Sequence, residues 1–213
     1  MKRLAIWALL AACIIVPEAM AQNEGRVTKN ELSGLAGRTF ISDQTIKGST
    51  QVDNKLRFGN GFTVEANYAR RLMTGQIFSL TFEVPVILNL DQDLHAALPT
   101  RIPANYKSFI VTPAGRINIF PDLGVSPWVS IGGGFNHNSE DDTLLFGGKN
   151  TGNTTNTTGV FQIGGGLDVR LIGRFSLRAE VRDFWAGVPT VSAITDTSRQ
   201  HNLFVGAGLV WHF

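Results

Sequence analysis

Several places in this sequence carry side chains whose types could do chemistry. His137-Asn138-Ser139-Glu140 brings imidazole, hydroxyl and carboxylate together, the residue types of a hydrolase triad. Asp91-Gln92-Asp93-Leu94-His95 offers oxygen and nitrogen donors, but two carboxylates and one histidine fall short of a metal's ligand set. Gly132-Gly133-Gly134 and Gly164-Gly165-Gly166 would cradle phosphate only ahead of a helix start, and no helix pattern follows them. The remaining set is spread along the chain at alternate positions of apolar stretches. It comprises the acids Glu65, Glu83, Asp168 and Glu180 and the bases Arg116, Arg170, Arg178 and Arg182.

What these groups can do depends on the elements that hold them. From Leu203 onward, Leu203, Val205, Ala207, Leu209, Trp211 and Phe213 alternate with Phe204, Gly206, Gly208, Val210 and His212. One face is wholly apolar and the other is small, mixed or polar, which is the period of two of a strand with lipid on one side. The same alternation sets Phe175, Leu177, Ala179 and Val181 against Ser176, Arg178, Glu180 and Arg182. It recurs in Phe161 to Val169, Val129 to Phe135, Phe109 to Ile117, Phe78 to Val86 and Phe62 to Tyr68, and more weakly near Leu35 to Ile41. Eight strands are expected, near 34–42, 56–71, 76–87, 106–119, 127–137, 158–171, 175–186 and 201–213.

The connections alternate in length. Those at 72–75, 120–126 and 172–174 are short; those at 43–55, 88–105, 138–157 and 187–200 are long. Short periplasmic turns and longer external loops are the pattern of outer-membrane barrels, and an even strand count puts both termini in the periplasm. A soluble barrel would face its apolar side inward. Here the charges share a face with glycines, which suits a cramped lumen, and the apolar face needs lipid. The expected fold is therefore all-β: a transmembrane eight-stranded antiparallel up-and-down β-barrel. The turn Ile172-Gly173-Arg174 sets a register in which Leu171 faces Phe175, Asp168 faces Arg178, Gly166 faces Glu180 and Gly164 faces Arg182.

On this frame the His137 group starts a long polar loop, followed by Asp141-Asp142, and a loop does not fix base against nucleophile. No catalytic residue, cofactor or metal is expected. His201 and His212 fall near strand ends and read as interface residues. The lumen charges read as an ion-paired plug, because intramembrane charges must be paired or wetted; the alternative is a narrow or gated ion path through the same network.

The N-terminus reads as a secretory signal over residues 1–21. Lys2 and Arg3 precede an apolar run from Leu4 to Val16, and Ala19-Met20-Ala21 is a small-x-small cleavage site. Leu10-Ala11-Ala12-Cys13 resembles a lipobox and gives the rival reading, a lipidated Cys13. Residues 22–33 are expected as a short periplasmic segment and 34–213 as the barrel. Lys and Arg number 19 against 17 Asp and Glu, a near balance that suggests no nucleic-acid partner.

These residues resemble a known family. Gly206-Ala207-Gly208-Leu209-Val210-Trp211-His212-Phe213 resembles the C-terminal strand of bacterial outer-membrane proteins. Leu177-Arg178-Ala179-Glu180-Val181-Arg182-Asp183-Phe184 resembles the penultimate strand of small OmpA/OmpX-like, porin-like barrels. Thr112-Pro113-Ala114-Gly115-Arg116 and Trp128 to Gly134 are similar to their central strands. The resemblance implies a bacterial outer-membrane location and an assembly signal at Leu209, Trp211 and Phe213, read by the barrel-assembly machinery. It also implies contact with outer-membrane lipids and lipopolysaccharide. The expected protein is a monomer with a structural, membrane-integrity or surface-interaction role. The alternatives are a small-solute channel and a lipid A-modifying enzyme.

Overall fold

The computed structural model of the chain describes residues 28–45, 55–58, 61–96, 105–144, 147–150, 154–187 and 199–213. The signal-peptide readings, with Ala19, Ala21 and Cys13, lie outside the described residues, as do the side chains of the 91–95 group. The strands are β1 Asn30–Ile41, β2 Gln44–Thr45, β3 Lys55–Phe58, β4 Gly61–Thr74, β5 Phe78–Ala96 and β6 Asn105–Val111. They continue with β7 Ala114–Ile119, β8 Val125–Glu140, β9 Thr155–Arg170, β10 Phe175–Gly187 and β11 Arg199–His212.

β6 and β7 are two halves of one wall strand, since both lie between β5 and β8. The break falls at Thr112-Pro113, where proline has no N–H to give the ladder. With those halves counted together, eight antiparallel strands form the wall, and β1 closes the ring on β11 from Glu31↔His212 to Ile41↔Asn202. β2 and β3 extend one side of the wall, where Leu56 of β3 meets Ala96 of β5. One end of the barrel carries the start of β1 at Asn30, paired with Phe213, and the tight turns. The other, the loop end, carries the longer connections.

The burial pattern is inverted relative to a soluble protein. Thr63, Glu65 and Asn67 of β4 and Ser79, Thr81 and Glu83 of β5 are buried inside, while Phe62, Tyr68, Phe78 and Phe82 are exposed outside. Leu177, Val181, Val205, Leu209 and Trp211 continue the exposed apolar surface. A wall of this kind is stable only with hydrocarbon against it.

The strands are longer than the alternation suggests. β1 begins at Asn30, so the expected N-terminal segment 22–33 yields its last residues to the barrel and brings Glu31 and Ser33 inside. β5 runs to Ala96 and β8 to Glu140, both into stretches expected as loop. Polar sequence is carried there by pairing: Asn138 meets Asn156, Ser139 meets Thr155, and Gln92 meets Tyr106. Threonines, which suit a pleated strand, supply that part of β9.

The β9–β10 hairpin has the register that its turn dictates. Gly173 takes φ +61, and the Leu171 N–H donates to the Phe175 carbonyl at 2.9 Å. Asp168 then meets Arg178, Gly166 meets Glu180 and Gly164 meets Arg182. Two of these glycines make room for large neighbours. A Cβ on Gly166 would lie 2.6 Å from both the Trp128 ring and the Ala179 carbonyl; one on Gly164 would lie 3.1 Å from Arg182 Cγ. Gly166→Val is expected to destabilise the barrel by about 1–3 kcal/mol through overpacking. Gly115→Val, at an outward position with nothing within 4 Å of the added Cβ, should be close to neutral. Urea unfolding followed by circular dichroism measures both, and equal effects would remove the packing explanation.

Candidate functional site

The lumen is filled by a chain of alternating charges. Arg178 grips Asp168 with two hydrogen bonds, Nε to Oδ1 and Nη2 to Oδ2, each 2.7 Å. The same Nη2 reaches Glu31 Oε2 at 3.4 Å. Glu31 Oε2 also accepts a hydrogen bond from Arg116, whose Nη1 lies 3.2 Å from Glu83 Oε2. Glu83 Oε1 accepts from Arg182 Nη1 at 2.7 Å. Arg182 Nε donates to Glu180 Oε1 at 2.6 Å and lies 3.5 Å from Glu65 Oε2. Polar neighbours complete the set: Asn67 donates to Glu83 Oε2 at 3.1 Å, and Arg116 Nε to Asn118 Oδ1 at 3.0 Å.

Trp128 stands in the middle. Its ring centroid lies 5.6, 5.3 and 5.1 Å from the guanidinium carbons of Arg116, Arg178 and Arg182. Its indole N–H donates to Asp168 Oδ1 at 3.2 Å. The ring therefore offers its electron-rich surface to three cations in a desolvated space, where cation–π attraction is strongest. β1, β4, β5, β7, β8, β9 and β10 each give a side chain to this cluster, while β11 offers Gly206 and Gly208 opposite Glu180 and Arg178.

Seven of the eight charges read from the sequence meet here; Arg170 does not. It is exposed at the terminal mouth, and its Nη2 donates to the Pro121 carbonyl at 3.5 Å. β9 ends there, so the alternation that points Arg170 inward carries it past the plug. The even balance of four acids and four bases is replaced by five acids, counting Glu31, around three fully buried arginines. Arg71 joins at the mouth, 3.8 Å from Glu31. Glu31 was hidden because its strand started earlier than the apolar alternation. Trp128 sat in plain view on the inward parity of β8 but was overshadowed by the charges.

Toward the loop end the plug is backed by an apolar layer of Leu35, Ile87, Ile110, Val160, Phe184, Ala186 and Phe204. A through-path would have to cross both layers. Leu209, Trp211 and Phe213 line the outer face of the last strand, with the Trp211 and Phe213 rings stacked at 4.7 Å. His212 lies inward at the terminal mouth, its Nε2 2.9 Å from Ser176 Oγ, and not at a lipid border. His201 is on the outer face, with Nδ1 3.1 Å from Asp183 Oδ2.

The His137 group is strand and not loop, and the pleat divides it. His137 is exposed on the outer face and shares a 2.8 Å hydrogen bond with Thr157 Oγ1; Ser139 has the same parity, and Glu140 faces in. The three cannot converge as a triad. Glu140 lies beyond Phe135, the last apolar outward residue of β8. Burial pushes its carboxyl up to about 7, against a hydrogen bond from Asn150 that favours the charged form.

No family model and no curated protein matches this sequence. Solved structures do. Neisserial surface protein A superposes with a TM-score of 0.55 at 13% identity, over 86% of this chain and 97% of that one. The chain has the fold of a small outer-membrane β-barrel. OprG from Pseudomonas aeruginosa is similar at a TM-score of 0.48 and 10% identity, over 87% of this chain and 96% of that one. The outer-membrane enzyme PagL gives 0.43 and 12%, over 84% and 97%.

Two outcomes follow for this barrel. Asp168→Ala and Arg178→Ala should each destabilise it, by up to about 3–5 kcal/mol for a buried pair. The double mutant should lose less than the sum, and strictly additive losses in urea titrations would dissolve the pair. Glu140 keeps its proton in the folded barrel to a higher pH than in the unfolded chain. Its effect on stability is therefore absent well below pH 4.5 and becomes a growing penalty as pH rises from 4.5 to about 7. Glu140→Gln should accordingly raise stability above pH 7 and change little below 4.5; the same shift at both would refute this.

Proposed function

We propose that this protein is an integral outer-membrane barrel of bacteria that acts as a closed, non-conducting unit. Its role is structural, in membrane integrity or in surface interaction, and not in bulk transport or catalysis. The observation that carries the reading is the continuous chain Asp168–Arg178–Glu31–Arg116–Glu83–Arg182, whose three guanidiniums have no exposed surface. An eight-stranded wall encloses only enough space for side chains, and here that space is occupied by groups that hold each other. The apolar layer behind them opposes an ion that slips past.

In this reading the terminal end faces the periplasm and the loop end the outside. The exposed apolar girdle meets outer-membrane lipid and lipopolysaccharide, and the barrel works as a monomer. Leu209, Trp211 and Phe213 present the strand that the barrel-assembly machinery takes up. The separation of His137 and Ser139 from Glu140 across the pleat supports leaving catalysis out.

Planar-bilayer recording tests it. The purified monomer should show no stable porin-sized conductance. Arg178→Ala, which opens the plug between Asp168 and Glu31, should raise the frequency of small openings. A stable, large conductance from the unmodified protein would overturn the closed-barrel reading.

A further inference from the structure

The terminal end of the barrel carries a strip of positive charge on four neighbouring strands. Arg70 of β4 faces Asn30 of β1 in the ladder, and Lys29 precedes Asn30. The Arg71 N–H donates to the Lys29 carbonyl at 2.7 Å, so these two basic residues lie side by side. Asn30 exchanges both backbone hydrogen bonds with Phe213, at 3.0 and 2.9 Å, and the His212 N–H donates to the Arg174 carbonyl at 2.8 Å. Arg174, Lys29 and Arg70 thus follow one another around the rim, over three strand spacings or roughly 14 Å.

All three are exposed. Among the described residues, none of the three has an ion-pair or hydrogen-bond partner for its side chain. Arg71 lies deeper, 3.8 Å from Glu31. Glu31 itself faces inward, with Oε2 shared between Arg116 and Arg178, and does not offset the rim. Like charges on adjacent strands repel each other, so the row is relieved by an anion from outside the chain.

The position of the strip identifies what carries that anion. One step further from the rim, Phe175, Trp211, Leu32 and Tyr68 form a single row of ladder partners on the outer face. They are 42–50% exposed, and apolar surface of that extent needs hydrocarbon against it. Aromatic rows of this kind lie at the border between lipid and water. The Tyr68 hydroxyl reaches rimward, donating to Asn30 Oδ1 at 3.0 Å. The basic strip therefore stands just beyond the hydrocarbon, at the depth of lipid phosphates. Arg70 shares the outward parity of Tyr68, so it points to the lipid side of the wall and not into the mouth. Cations so placed attract anionic headgroups.

We propose that the outer rim at the terminal end, built from Lys29, Arg70 and Arg174, binds the phosphate of an anionic phospholipid in the adjoining leaflet. This rests on the reading that the apolar girdle lies in lipid, and it goes further, since a girdle alone does not choose between headgroups. It is independent of whether the barrel conducts.

The test places the full chain in nanodiscs of phosphatidylglycerol and phosphatidylcholine in equal amounts. Lipids retained on the released barrel are counted by native mass spectrometry. Phosphatidylglycerol should be retained in preference to phosphatidylcholine. Arg70→Gln and Arg174→Gln should each cut that preference by up to about fivefold, and adding Lys29→Gln to both should abolish it. Arg70→Lys keeps the charge and should keep the preference, a gain-free check if a glutamine variant assembles poorly. Equal retention of the two lipids by the unmodified protein would overturn the site and leave the girdle standing. Failure to insert into any bilayer would remove the girdle reading and the site together. An equal loss from Arg199→Gln, at the loop end, would mean general charge attraction and overturn the proposal. So would inorganic phosphate that strips the preference where sodium chloride of the same ionic strength does not, since the strip would then take free anions.

Discussion

A charge inside a membrane must find an opposite charge, and in this barrel that requirement organises everything within the wall. Arg116, Arg178 and Arg182 project into one narrow space and would repel each other there. Two things make the arrangement stable. The carboxylates alternate with the guanidiniums, so that Glu31 and Glu83 each bridge two arginines. Trp128 places a polarisable ring where the three cations come closest to one another. Replacing the tryptophan with an aliphatic residue would lose that attraction and leave a void, since no aliphatic side chain fills the volume of the indole.

Size is matched to charge across the wall. Long side chains stand on β10 and on β5–β7, and the strands that face or flank them bear Gly164, Gly166, Gly206 and Gly208. The glycines therefore belong to the electrostatics as much as to the backbone. They allow the arginines to lie flat against the inner surface and to reach partners several strands away. The apolar layer of Phe184 and Phe204 then divides a charged terminal half from a hydroxyl- and amide-rich loop half. Along the wall the hydrogen-bonded series Arg182–Ser130–Gln162–Thr112 runs from the plug to the level of Phe184.

The architecture was legible because lipid on one side and a crowded lumen on the other impose a strict period of two. The turn at Gly173 carried enough information to give the Asp168–Arg178 pair. Legibility failed where that contrast fades. Beyond the lipid band nothing demands an apolar outer face, so β5 and β8 continue through polar sequence that reads as loop. Glu31 belongs to the same class of omission, since the outward positions that flank it on β1 are Asn30, which is polar, and Leu32. Arg170 shows the opposite error: parity tells which way a side chain points but not how far along the barrel axis it sits. The basic strip at the terminal end left no trace in the sequence, because Lys29, Arg70 and Arg174 are far apart along the chain and meet only when β1 closes on β11.

Glu31 ties the first strand to Arg178 of the penultimate one, 147 residues away, across a last strand that gives no carboxylate or guanidinium to the plug. This has a kinetic corollary. The seam between β1 and β11 joins the most distant parts of the sequence and carries the greatest loop-closure entropy, so it forms late. Until it does, Arg178 and Arg116 lack Glu31, and an open sheet would hold under-compensated cations in the bilayer. A half-rolled intermediate is thus disfavoured from within, and the final step of assembly is made cooperative by the very carboxylate that closes the ring.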